Sequence, residues 1–199
     1  MKPQYYGLEE LIGFIDEPNR DPCNRILKEN LDLFKKVQGS TNNHQAWPGG
    51  YLDHITEAMN YGIVFYHTLD SIRFLPFSLS DSLLVLFLHD IEKPWAYEIG
   101  SDGILKRKDG MSDKESLHKF RAKRLEEYGI KLTPEQQNGM RYVEGEMNDY
   151  TNKRRVMGEL AAFCHLCDIT SARIYHAYPK REGDEWLEEE KLIREQKVD

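Results

Sequence analysis

Long hydrophobic runs are missing from this chain. The longest unbroken apolar stretch, Leu83 to Leu88, is far too short to span a bilayer. Cysteine is scarce: three residues, an odd count that builds no disulfide framework. The opening Met1-Lys2-Pro3-Gln4-Tyr5-Tyr6 lacks the apolar stretch of a signal peptide. These absences together point to the reducing cytoplasm and to a protein with no membrane partner. An excess of positive charge is missing too. The net charge is −7, so the chain has no general attraction to polyanions. That argues against a dedicated duplex nucleic-acid binder and leaves room for a local basic site. One candidate runs from Lys106 to Arg124, where eight Lys and Arg residues face only Asp109, Asp113 and Glu115. It reads either as a solvated helix face beside a basic hairpin, or as a collar that attracts phosphates through Lys119 and Arg121.

What is present is helical periodicity. Leu8, Leu11, Ile12 and Ile15 predict a short first helix, and Ile26 to Val37 a second, entered through Asp21-Pro22. Gly49-Gly50 breaks the chain so that a third can begin near Tyr51 and run past His67. Ser80 is the expected cap of a fourth, carrying Leu83 to Asp90. Capping boxes stand at Ser112 to Glu115 and at Thr133 to Gln136. A last long helix is expected from about 152 to 176. One segment departs from this pattern: residues 95–107, with Gly100-Ser101-Asp102-Gly103 at the centre, predict a short β-hairpin that is either a flap or a plain connector. No internal repeat or low-complexity tract stands out.

The chemistry begins at His89-Asp90, where the apolar run ends. A histidine and an aspartate side by side each carry a polar group that must find a partner when buried. They are either a solvated helix end or part of a metal site, since imidazole and carboxylate both suit divalent ions. Two other segments bear on the choice. Upstream, His44 and Trp47 lead through Pro48-Gly49-Gly50 to His54; downstream, Asp168 sits within an apolar stretch that runs on to Arg173. Cys164 and Cys167 form a C-x-x-C there, but with no second pair they read as small core residues.

The ordered set of His54, His89-Asp90 and Asp168 resembles the HD superfamily of metal-dependent phosphohydrolases. The Pro-Gly-Gly-x-x-x-His entry is nearest to the branch that includes HD-type 3′–5′ exoribonucleases and small nucleotide hydrolases. The resemblance implies an all-α, single-domain HD-type helical bundle. Residues 1–39 would be N-terminal helices packed on the core, 40–178 the HD domain, and 179–199 an acidic C-terminal segment. It implies one divalent ion held by His54, His89, Asp90 and Asp168, with Mn, Mg, Fe, Co, Ni and Zn not distinguished. Asp90, Lys93 and Glu92 are the candidate catalytic residues, with Lys93 holding a phosphate oxygen and Glu92 orienting water. Glu92 departs from the family pattern, which favours a small residue there. Lys93, next to Pro94, is expected at a helix end with few partners along the chain.

Some members of the superfamily carry two more histidines that hold a second metal. His118 fits the first; Glu144 or Glu146 stands where the other would be, so a single metal is the simpler expectation. His118, Glu144 and Arg173 are the candidates for a second metal or for phosphate. His44, Trp47, Lys119 and Arg121 are the candidates for substrate contact. The expected reaction is hydrolysis of a phosphate ester or anhydride in a nucleotide or short oligonucleotide, with a homo-oligomer an open alternative. Two other readings remain: a non-catalytic nucleotide sensor that keeps the pocket, and a di-iron oxygenase, which the missing histidine weakens.

Overall fold

Leu83 to Leu88 lies where a segment apolar on all sides must lie, at the centre. In the computed structural model of the chain, every residue from Ser82 to Leu88 of helix α4 (Leu79–Leu88) is buried. The structure describes residues 3–40, 43–99, 105–108, 110–111, 114–177 and Trp186. Around α4 pack α3 (Gly50–Ile72), α7 (Pro134–Tyr142) and α8 (Glu159–Ile169), and α3 and α8 also touch each other. The short α1 (Leu8–Gly13) leans on α2 (Arg20–Phe34), α3 and α4, and α2 contacts α6 (Lys114–Tyr128). The domain is all-α with one two-stranded exception. Strand β1 (Tyr97–Ile99) pairs antiparallel with β2 (Leu105–Arg107), Glu98 opposite Lys106. This is the expected hairpin pairing, although its connection lies outside the described residues. Among the described residues, no helix is long and apolar enough to cross a membrane.

Helix α3 starts where the two glycines predict. Gly49 has φ +83°, a left-handed conformation that L side chains rarely adopt. Gly50 is pressed against the preceding loop: a Cβ there would lie 1.9 Å from the Gln45 carbonyl oxygen. The tight turn puts the loop backbone directly on the first turn of α3.

Several boundaries differ from the sequence reading. Ser78, not Ser80, caps α4: it accepts from Asp81 N (3.0 Å), and the Asp81 carboxylate accepts from Ser78 N (3.1 Å). Ser80 instead accepts the Asp16 amide at 2.7 Å, tying the loop after α1 to the start of α4. Helix α4 stops at Leu88 with His89 as its C-cap, and a separate turn, α5 (Lys93–Ala96), begins at Lys93 with Pro94 in its first turn, where proline's missing N–H costs nothing. Trp95 and Ala96 therefore belong to a helical turn and not to the hairpin. The last helix starts at Glu159, not near 152. Asn138 on α7 explains the delay: its amide donates to Val156 O (2.9 Å) and accepts from Gly158 N (2.8 Å), holding this segment extended until Gly158. Beyond Ile169 the helix widens into a π turn, Thr170–Ile174. The Ser112 box and the C-terminal acidic segment, apart from Trp186, lie outside the described residues.

Candidate metal centre

Three helices bring one polar residue each to the centre of an apolar core. His54 stands one turn into α3, His89 closes α4, and Asp168 sits near the end of α8. His54 and His89 are 0% and 1% exposed. Their Nε2 atoms face each other at 3.3 Å. Asp168 Oδ1 lies 3.1 Å from His54 Nε2 and 3.4 Å from His89 Nε2. These three residues each offer one ligand atom, all within 4.8 Å of one another, and they could hold a metal ion. Asp90 approaches the same two nitrogens: its Oδ2 is 3.3 Å from His89 Nε2 and 3.6 Å from His54 Nε2.

These separations test whether an ion fits. Ligand atoms bound tetrahedrally at about 2.0–2.1 Å stand about 3.3–3.4 Å apart. The separations in the structure bracket that distance. The donor set also fits, since imidazole nitrogen and carboxylate oxygen suit hard or borderline divalent ions. The lone pairs agree as well. His89 Nδ1 lies 2.7 Å from the Leu86 carbonyl, which can only accept; that nitrogen carries the proton, so neutral His89 aims its Nε2 lone pair into the cluster.

Electrostatics say that the cluster calls for positive charge. Burial alone would raise the Asp168 and Asp90 carboxyls. For Asp168 the close contacts with the His54 and His89 rings outweigh burial and hold it below the usual carboxylate range. For Asp90, Lys93 and His89 do the same. Burial lowers His89, but the Asp90 and Asp168 carboxylates more than reverse this and hold it well above an ordinary histidine. His54 is lowered by burial, against the pull of Asp168. A proton on His89 or a divalent cation satisfies this arrangement, and the two compete.

Around the cluster the sequence candidates part ways. Lys93, expected to have few partners along the chain because of its place before Pro94, has one close by. Its ammonium pairs with Asp90 Oδ2, and its side chain keeps 18% exposure. Glu92 turns inward, with Oε2 3.7 Å from Arg121 Nη1 and no hydrogen bond to that oxygen among the described residues. Burial pushes its carboxyl up to about 7 against the opposing Arg121 charge. His44 does reach the site: its ring centroid is 4.9 Å from that of His54, and burial, with His54 and Lys93 adding, lowers it to about 4.

The other candidates lie away from the cluster. Trp47 donates from Nε1 to Asp53 (2.7 Å), fastening the loop to the first turn of α3. Lys119 is on the solvent face, paired with Glu115 at 2.7 Å. Arg121 is buried, and its guanidinium donates to the His89 carbonyl and to Met140 O (3.3 Å). It therefore supports the ends of α4 and α7, where a cation meets the carbonyl end of the helix dipole. His118 and Glu144 are both exposed, on the wall of a cavity of about 470 Å³ beside α6 and α7 that Arg121 also lines. Neither joins the group with ligand spacing. Arg173 is exposed on the π turn. Cys164 and Cys167 are fully buried and burial holds both thiols up, in keeping with core residues.

Residues that the sequence did not single out complete the centre. Ser171 and Gln45 are buried beside His54, together with Glu57, whose carboxyl burial pushes up to about 8. A signal for two of them existed. Glu57 follows His54, and Ser171 follows Asp168, by three residues, one helical turn, in otherwise apolar surroundings.

Set against known proteins, the chain matches no family model, no curated protein and no solved structure. The helical fold and the His54-His89-Asp168 cluster are compatible with an HD-type arrangement.

Proposed function

We propose that this chain is a metal-dependent phosphohydrolase acting on a nucleotide or short oligonucleotide. The observation that carries the reading is the convergence of His54, His89 and Asp168 at ligand spacing, with both rings buried and with Asp90 and Lys93 beside them. The resemblance of the ordered motif set supplies the substrate class.

A divalent ion bound there would supply Lewis acidity and make a bound water more acidic. The protein's own groups do the rest. His54, His89 and Asp168 supply the donors, and the packing of α3, α4 and α8 buries both rings while Asp168 stays partly exposed. Lys93 stays charged because Asp90 more than offsets the effect of burial, and its partial exposure leaves the ammonium a route to a phosphoryl oxygen. His44, neutral at physiological pH, walls one side and offers a hydrogen bond to substrate. Glu92 faces Arg121, which favours a supporting role over water activation.

The test is phosphate release from a panel of nucleotides and short oligonucleotides, with Mn, Mg, Fe, Co, Ni and Zn supplied in turn to metal-stripped protein. Release that requires the ion and disappears in His89→Ala is the expected result. Ion uptake and nucleotide binding without turnover would replace this reading with that of a sensor.

A further inference from the structure

Ser171 Oγ is a three-way junction. It lies 2.5 Å from Glu57 Oε2, 3.2 Å from His54 Nδ1 and 3.2 Å from Gln45 Nε2. Ser171 and His54 are 0% exposed, Gln45 1% and Glu57 6%, so no bulk water can substitute for any of these partners. A serine hydroxyl has one proton to give and two lone pairs to receive. The neighbours decide how the three are used.

Gln45 is settled first. Its Nε2 also reaches the Ser171 carbonyl at 3.1 Å, and a carbonyl can only accept, so this nitrogen donates. It takes one hydroxyl lone pair. The hydroxyl proton then goes either to Glu57 or to His54. The Glu57 contact is 0.7 Å shorter, in the range of a bond to a carboxylate. Oε2 accepts there when Glu57 is ionised or carries its proton on Oε1; only a proton on Oε2 itself would reverse this bond and send the hydroxyl proton to His54. The second lone pair is left to accept from His54 Nδ1.

We infer that Ser171, backed by Glu57, is a positioning residue that fixes the His54 ring through Nδ1 and favours its Nδ1–H tautomer, in competition with Asp168 Oδ1, which lies 3.1 Å from Nε2 and draws the proton the other way. This deepens the metal-site reading and rests on it. The layout is paired: α3 supplies His54 and, one turn on, Glu57; α8 and its π turn supply Asp168 and, one turn on, Ser171. The same two segments thus carry both the donors and the groups that aim them. The π turn has a reason here, because widening the helix after Ile169 sets Ser171 between His54 and Glu57. His89 keeps its Nδ1 protonated by a different route, through the backbone carbonyl of Leu86.

That difference gives the experiment its internal control. Long-range ¹H–¹⁵N spectra of metal-stripped protein distinguish Nδ1–H from Nε2–H for each histidine. In the native protein His54 should be Nδ1–H. In Ser171→Ala it should shift toward Nε2–H while the pattern of His89 stays fixed. Co(II) affinity, read from visible absorption, should fall by ~10–100-fold in the same variant, the usual cost of losing an outer-shell partner. Glu57→Leu, which removes the acceptor of the hydroxyl proton, should move both readouts in the same direction and keeps the test open if Ser171→Ala folds poorly. A native His54 found as Nε2–H, or a His54 signal unmoved in both variants, overturns the inference. Native protein that takes up no Co(II) but shows the expected tautomer shifts would sink the metal reading and leave this assignment standing.

Discussion

Two places in this molecule gather histidine and carboxylate, and only one of them makes a centre. At the first, ligand atoms of His54, His89 and Asp168 lie within 4.8 Å of each other, with both rings buried and Asp168 only partly exposed. Each ring has a second partner behind it, a carbonyl for His89 and a hydroxyl for His54. At the second, His118 and Glu144 share the wall of a cavity between α6 and α7, both exposed and outside any group with ligand spacing among the described residues. The composition is similar. The difference is that the first set hangs from three helices packed against one another, so that the core fixes the donors before any ligand arrives.

The comparison breaks most directly at the first place. His89→Ala or Asp168→Ala should lose ion uptake and lower phosphate release by ~10³-fold or more, as measured by metal analysis beside steady-state kinetics. Retained uptake with either variant would mean that the donors lie elsewhere. Lys93→Ala comes next. If the ammonium meets charge that develops in the transition state, kcat should fall by ~10²-fold with the ion still bound. Asp90, left buried without its counter-ion, should also lower stability by roughly 1–3 kcal/mol. A raised KM with unchanged kcat would confine Lys93 to ground-state binding.

Arg121→Met sharpens the boundary between the two places, since this residue faces both. It leaves the His89 and Met140 carbonyls and the Glu92 carboxylate without their shared cation. A loss of about 2–4 kcal/mol in denaturant unfolding is expected. A loss under about 0.5 kcal/mol, the range of ordinary surface changes, would remove Arg121 from the supporting framework. The smallest effect should come from His118→Ala combined with Glu144→Ala. Ion stoichiometry should not change, and kcat should stay within about twofold of the native protein, an effect of under about 0.5 kcal/mol on the barrier. A lost equivalent of metal would show that the second place is a site after all.

The sequence carried the fold well because periodicity reports burial. The all-round apolar Leu83 to Leu88 could only be central, and the glycines before Tyr51 mark the entry of α3. The His-Asp pair and the two outlying donors were also legible, as polar residues in apolar helices need partners. Other features were not, because they depend on contacts far apart in the chain. Asn138 delays α8 from 20 residues away, and nothing local announces it. Arg121 looked like part of a basic collar because charge alone cannot tell a solvated arginine from one that caps two helices. Ser171 and Gln45 are 126 residues apart and give no local sign of their pairing.

Those long separations bear on when the centre can exist. His54 and Ser171 are 117 residues apart, and Asp168 comes from the same late segment as Ser171. A growing chain exposes both histidines well before the residues that complete and aim the site, so it cannot be assembled until α8 docks onto α3 and α4. Tight ion uptake is therefore a marker of finished folding. Added to a refolding reaction, the ion should be captured only in the last kinetic phase, and by pulling on that phase it would act as a clasp that discourages α8 from detaching.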